Sequence, residues 1–232
     1  MNTVNDSDLK ELPQPVRTWL QAAGIVGMPK APQVRVEQSA RMRLKPEQKW
    51  MPVQAEQDFS FTHPGFIWRA RIKMAPGIFI TGRDTYADGR GHMLIKLLGL
   101  FPVVNARGPE IDQGTLLRFL GEMVWFPQAA LQDYVLWEEI GPEQVRAVMK
   151  YKDVHGEGIF TFNTNGLPVS FTADRYREEK GSFVLRPWKI SISEHHSFAG
   201  VTVPNRGSVT WELDSGDFTW FEFEITSVEY SH

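Results

Sequence analysis

From residue 34 onward the sequence is written in a two-residue period. Residues 34–44 place Val34, Val36, Ala40, Met42 and Leu44 on one side and Arg35, Glu37, Arg41 and Arg43 on the other. That is the pattern of a strand with one buried and one wet face. Residues 51–61 repeat it, with Met51, Val53, Ala55, Phe59 and Phe61 inward and Gln54, Glu56, Asp58 and Ser60 outward. Residues 66–74 follow, with Phe66, Trp68, Ala70, Ile72 and Met74 inward and Arg69, Arg71 and Lys73 outward. The connections PEQK and THPG suit hairpins, so these strands are expected to form an antiparallel meander. Further strands are predicted over 78–87 and 92–98, with DGRG between them, and over 134–140, 144–151, 157–163, 167–176, 183–193, 207–214 and 217–229. The apolar run LLGLFPVV, 97–104, reads as a buried strand in preference to a lid or a surface-docking loop.

Two stretches carry a helical period instead. Val16, Trp19, Leu20 and Ala23 recur at i, i+3, i+4 and i+7, with Pro15 suited to a first helical turn and Gly24 to a C-cap. This short amphipathic helix is expected to plug one end of the core. The second stretch, GPEIDQGTLLRFLGEMVWFPQAAL at 108–131, reads as a helix of about four turns. Leu116, Leu117, Leu120, Met123 and Val124 gather on one side of it. Arg118, Glu122 and Trp125 gather on nearly the opposite side, close to Ile111 and Thr115.

About ten to twelve strands with no βαβ rhythm imply a mainly β fold with helical insertions: a curved antiparallel sheet or half-barrel around a central helix, with a short N-terminal helix. A chain of 232 residues is long enough for one large core. The expectation is a single domain, with an N-terminal helical segment at 1–30, a first strand group at 33–104, the central insertion at 108–132 and a second strand group at 134–230.

A formal charge of -3 provides no global positive field for nucleic acid or anionic lipid. The absence of cysteine removes disulfides, thiolate catalysis and cysteine metal sites. No stretch approaches the roughly 20 apolar residues of a spanning helix. The first residues show no basic segment followed by an apolar run, which leads to an expected cytoplasmic location. Oligomeric state is not legible.

Most candidate chemistry dissolves under its structural alternative. The outward Arg35, Arg41, Arg43, Arg69, Arg71 and Lys73 face Glu56 and Asp58 across the meander, so a charge-paired wet face explains them better than a basic patch. His195 and His196 are adjacent on a strand and point to opposite faces, and no HExxH spacing exists, so no metal and no cofactor is expected. Nucleophile elbows, phosphate loops and dinucleotide fingerprints are absent from the sequence. Glu110 and Asp112 stand where they would cap the central helix and favour its dipole, with direct chemistry as the alternative.

What persists is the second face of that helix. A purely solvent-facing stripe rarely needs a tryptophan, so Arg118 and Glu122 are expected to be satisfied against something other than bulk water. Trp125 either covers a pocket or packs under the following loop. The strand Leu167, Val169, Phe171, Ala173 ends inward on Arg175, and Arg83, Asp84 and Tyr86 place further polar groups in a sheet. An aromatic core with arginines and carboxylates at one rim suits an amphiphile, and also suits an ordinary core with polar edges.

The segments RIKMAPGIFITGRDTYADGRGHM and GPEIDQGTLLRFLGEMVWFP resemble signature stretches of an uncharacterised bacterial family, a domain of unknown function, over most of the chain. The order of strands, central helix, and strands ending in GVTVPNRGSVTWELDSGDFTWFEFEITSVEY is similar to that of the lipoprotein carrier and lipid-binding half-barrels of the LolA, LolB and LppX type. That resemblance implies a curved sheet around a helical plug, with a hydrophobic cavity for acyl chains. It transfers no individual residue.

The leading expectation is a non-enzymatic module holding a lipid or other hydrophobic small molecule between the concave sheet and the central helix. Trp68, Phe59 and Phe171 would form apolar wall, Trp125 would cover it, and Arg118, Glu122, Arg175 and Arg83 would orient a polar head. One alternative is an enzyme on a hydrophobic substrate, with Glu110, Asp112 or Glu122 as general base. Another is an interaction protein whose interior is only core.

Overall fold

A computed structural model describes residues 3–231; the first two residues of the N-terminal segment lie outside it. The strands are β1 (Gln33–Met42), β2 (Met51–Ser60), β3 (Gly65–Ala75), β4 (Ile78–Ala87), β5 (Arg90–Leu97) and β6 (Phe101–Ala106) before the central helix. After it come β7 (Val135–Gly141), β8 (Gln144–Tyr151), β9 (Val154–Phe162), β10 (Pro168–Glu179), β11 (Ser182–Phe198), β12 (Val201–Trp211) and β13 (Phe218–Ser231). The α-helices among the described residues are α1 (Gln14–Ala22) and α2 (Pro109–Glu122).

All thirteen strands join one sheet in the order β6-β5-β4-β3-β2-β1-β13-β12-β11-β10-β9-β8-β7. The first group is an antiparallel meander and the second is another; the two are sewn together where β1 pairs with β13, Gln33 opposite Ser231 and Met42 opposite Phe221. Helix α2 links the two outermost strands, β6 and β7, and packs chiefly against β5 on one flank and β9 and β10 on the other. The sheet therefore curls into a half-barrel around α2.

The alternation sets this geometry. In β1 the even positions Val34 and Val36 are buried while Arg35 and Glu37 are exposed. On the outer face Arg35 reaches Asp58 at 2.7 Å and Arg69 reaches Asp58 at 2.9 Å, cross-strand pairs whose solvent exposure limits their worth. The β4–β5 hairpin turns on Asp88 and Gly89, both with positive φ, the two-residue geometry whose twist matches the strands. Helix α1 buries Val16, Trp19 and Leu20, and Trp19 stacks on Phe160 at 6.0 Å, closing one end of the core.

Three features depart from the sequence pattern. First, α2 stops at Glu122 and continues as 3-10 turns, Met123–Trp125 and Pro127–Leu131. Pro127 excludes the α conformation from the residue before it, and Phe126 takes φ -136°. Second, β12 begins at Val201, earlier than expected, because Pro204 is accommodated beside register shifts in β11. Third, residues 101–106 do form a strand, but β6 is an edge with Phe101 and Val103 exposed. Among the described residues no strand pairs with its second side.

Candidate functional site

Helix α2 is buried on nearly every side. Leu116 and Leu117 lie against Gly156 of β9, where a Cβ would sit 3.0 and 2.8 Å from their methyls. Gly121 admits Phe171 and Ile190, and Gly114 admits the Arg175 guanidinium, so the two helix glycines let β10 and β11 approach closely. At the start of the helix no side chain caps the backbone. Asp112 turns away from the helix: it accepts the Gly91 amide at 2.6 Å and Arg90 at 2.9 Å, and so fastens the first residues of β5 to α2. The expected capping role is corrected to a tertiary anchor.

The second face of α2 meets a row of polar groups on the inside of the sheet. Arg118 Nη1 donates to Asp84 of β4 at 2.8 Å, its Nε to Glu122 at 2.8 Å, and its Nη2 to Gln57 of β2 at 3.3 Å. Gln57 in turn donates to the other Glu122 oxygen at 2.7 Å, and Gln38 of β1 donates to Gln57 at 3.4 Å. The Arg118 guanidinium lies 5.0 Å from the Phe66 ring centre and 4.9 Å from that of Trp68. Burial pushes the Glu122 and Asp84 carboxyls above their ordinary range against the opposing pull of Arg118.

Arg175 adjoins this network without completing it. On the same strand face, Arg177 and Arg186 both pair with Glu179, at 3.1 and 3.0 Å. Arg175 has no carboxylate partner among the described residues; its guanidinium lies 4.9 Å from the Trp188 ring centre. Its Nε and the indole N–H groups of Trp188 and Trp68 are buried without an acceptor. Desolvation, helped by the Arg118 charge, brings the Arg175 pKa down to about 10.

The other expected site residues divide by location. Phe59 belongs to a packed aromatic stack, 4.4 Å from Phe126, with Phe119 5.2 Å beyond. Phe171 is buried beneath Gly121 and Gly158. Trp125 donates its indole N–H to the Pro204 carbonyl at 3.0 Å and meets Phe223 edge-on at 5.5 Å. It lies in the 3-10 turn, off the Arg118–Glu122 stripe. Arg83 is exposed on the outer face, opposite Arg69, because it is adjacent in sequence to the inward Asp84.

The interior is buried throughout, with small differences in exposure. Around the lower part of α2, Phe119, Leu120 and Phe126 are wholly buried. Across the concave face beyond Arg118, Trp68, Trp211 and Phe221 each keep 9% of their surface exposed. Three depressions lie elsewhere: about 640 Å³ beside Arg69, Arg83 and Lys96, about 860 Å³ beside Arg90, Gln113 and Asp174, and about 590 Å³ beside His63 and Asp88. None of these three is bounded by Arg118, Glu122 or Trp125.

A family model described as a family of unknown function, DUF6544, matches residues 2–223. The chain belongs to that family. The DUF6544 chain is similar in structure to a DUF1329 family protein from Desulfovibrio piger, with a TM-score of 0.50 and 11% identity over 99% of this chain and 94% of the other. That likeness shows a shared fold. It is also similar to a LolA superfamily protein from Nitrosomonas europaea, with a TM-score of 0.48 and 11% identity over 92% of each chain. No curated protein matches the sequence. Among the described residues no helix is long and apolar enough to cross a membrane.

Gln57 and Gln38 escaped the sequence reading although the signal was present. Gln57 interrupts the inward series Met51, Val53, Ala55, Phe59, and Gln38 interrupts Val34, Val36, Ala40. A polar residue at an inward position of a clean alternation asks for a buried partner.

Proposed function

We propose that this DUF6544 protein binds a lipid-like molecule on the concave face beyond Arg118, with an oxygen-bearing head at Arg175. The observation that carries this is that the buried N–H groups of Arg175, Trp188 and Trp68 have no acceptor among the described residues, Arg175 lying over Trp188 and Trp68 lying under Arg118 of the charge cluster. Leaving such donors unpaired costs about 1–3 kcal/mol each, and a carboxyl or ester oxygen would answer them. The apolar body would lie along Trp68, Ala70, Trp211 and Phe221, buried side chains on the inner face of the sheet. The packed half around Phe59, Phe126 and Trp125 would serve as the floor of this site. Arg83, on the outer face, has no part in it.

Binding is favoured over carboxylate catalysis by the state of the carboxylates. Both Glu122 oxygens and both Asp112 oxygens accept hydrogen bonds from the protein itself. General-base work needs a carboxylate oxygen within hydrogen-bond reach of a substrate, and these oxygens are turned to donors of the protein. The test is native mass spectrometry of purified protein together with titration of a fluorescent fatty acid. Saturable uptake that is lost in Arg175→Met is expected; reproducibly empty protein with no uptake would sink the reading.

A further inference from the structure

Half of the exposed large apolar side chains gather on three neighbouring turns, while Leu136 and Ile140 lie on β7 and Phe183, Val184 and Leu185 on β11. Strands β1 to β6 are consecutive antiparallel neighbours, so the β1–β2, β3–β4 and β5–β6 turns all lie at one end of the sheet, side by side. Leu44 stands on the first, Met74 and Ile78 on the second, and Leu98, Leu100 and Phe101 on the third. Leu100 and Phe101 are 71% and 62% exposed. Exposed apolar side chains collected on neighbouring turns at one end of a sheet suit an interaction surface.

The charge around these tips identifies what covers them. Residues 43–51, 71–81 and 95–102, which form these tips, contain six Lys and Arg against one carboxylate, Glu47, in a chain whose net charge is -3. Arg69, farther along β3, is paired with Glu56 and Asp58, whereas no carboxylate pairs with Arg71, Lys73 or Lys96 among the described residues. Arg71 instead lies 3.5 Å from the Phe79 ring centre, and Lys96 sits opposite Thr81 and Pro102. The β12–β13 turn at the same end is acidic, with Glu212, Asp214 and Asp217. The rim is thus basic at one corner and acidic at the other.

We infer that the β1–β2, β3–β4 and β5–β6 tips dock this protein onto an anionic lipid bilayer. Leu98, Leu100, Phe101, Met74 and Ile78 enter the headgroup–acyl boundary, and Arg71, Lys73 and Lys96 meet lipid phosphates. An amphipathic edge combining apolar insertion with a basic collar binds such a surface through both contributions, and the electrostatic share falls with salt. The acidic β12–β13 corner tilts away from the bilayer. This inference is independent of whether the concave face holds a ligand.

Co-sedimentation with phosphatidylcholine vesicles, with and without phosphatidylglycerol, tests it. Binding to the mixed vesicles that weakens with salt is expected, with little binding to pure phosphatidylcholine. Leu100→Glu with Phe101→Glu should abolish it, and Lys73→Gln with Lys96→Gln should lower it by about tenfold or more at low salt. Leu136→Glu, an equally exposed apolar site on β7, should leave it unchanged. Circular dichroism and fatty-acid uptake of each variant separate a folding defect or a failed ligand site from lost docking. No binding to mixed vesicles, or binding indifferent to Leu100→Glu with Phe101→Glu, overturns the inference. So does a wild-type dimer in light scattering that these substitutions render monomeric, since a second copy then covers the rim.

Discussion

Arg118 of α2 and Asp84 of β4 meet at 2.8 Å inside the sheet, each with under a fifth of its side chain exposed. The same guanidinium holds Glu122, so one helix cation stands against carboxylates from two elements. Arg118→Met would leave Asp84 and Glu122 buried without it. Breaking such a group from one side costs about 3–5 kcal/mol. Urea denaturation should show that loss, and adding Asp84→Asn and Glu122→Gln to Arg118→Met should recover much of it. A single variant as stable as wild type would contradict the assigned role.

The pH dependence of the cluster follows from burial. The Glu122 carboxyl is raised in the fold above its unfolded value. It therefore contributes stability that is fully present below the unfolded pKa and is lost as pH rises through the higher folded pKa. Glu122→Gln removes this dependence. The variant should gain stability relative to wild type as pH rises from about 4 to about 7. A wild-type advantage that grows over the same interval would mean that the Arg118 pairing outweighs desolvation.

Arg175 should trade stability against binding. Its folded pKa is depressed to about 10, so the fold disfavours its charged form throughout the neutral range. Arg175→Met keeps the stem packed on Trp188 and removes an unpaired buried charge. The urea midpoint is expected to hold or rise while fatty-acid uptake disappears. Lower stability with uptake intact would remove Arg175 from the proposed site.

Gly121 is a packing requirement of the helix and not a flexible point. A Cβ there would sit 2.7 Å from a Phe171 ring carbon and 2.9 Å from an Ile190 methyl. Gly121→Ala gains helix propensity but forces α2 off β10 and β11, with a net loss of about 1–3 kcal/mol measured by thermal or urea unfolding.

Trp125 distinguishes floor from roof. Trp125→Ala empties a buried aromatic site and frees the Pro204 carbonyl, a loss of about 3–5 kcal/mol. Under conditions where the variant is still folded, its fatty-acid affinity should match wild type. Affinity that falls in proportion to the truncated ring would place Trp125 over the ligand.

The two-residue period carried the strands and their faces because each buried position is signalled by its immediate neighbours. Parity also separates Asp84 from Arg83: the inward Gly82, Asp84 and Tyr86 share one face of β4, leaving Arg83 outside. The polar face of α2 was visible through Arg118 and Glu122, but a projection at a constant 100° per residue fails beyond Glu122, where the backbone tightens into 3-10 turns. Trp125 consequently fell on the wrong stripe. The partners of Arg118 were not legible, since Gln57 lies 61 residues away and no local pattern encodes which strands face a helix. The exposure of Leu100 and Phe101 was hidden for the same reason: an apolar run looks alike at a sheet's centre and at its edge.

The seam between β1 and β13 also governs how the molecule can assemble. Every other strand pair joins neighbours in the sequence, whereas the seam brings Glu37 to Thr226 across 189 residues and Arg41 to Glu222 across 181. Each meander forms its hairpins by closing short loops, while the seam must close nearly the whole chain at once. Strands β1 and β13 are, until that moment, bare edges with unpaired amides and carbonyls. The interval before the first strand finds the last is therefore the period in which two nascent chains are most able to pair with each other.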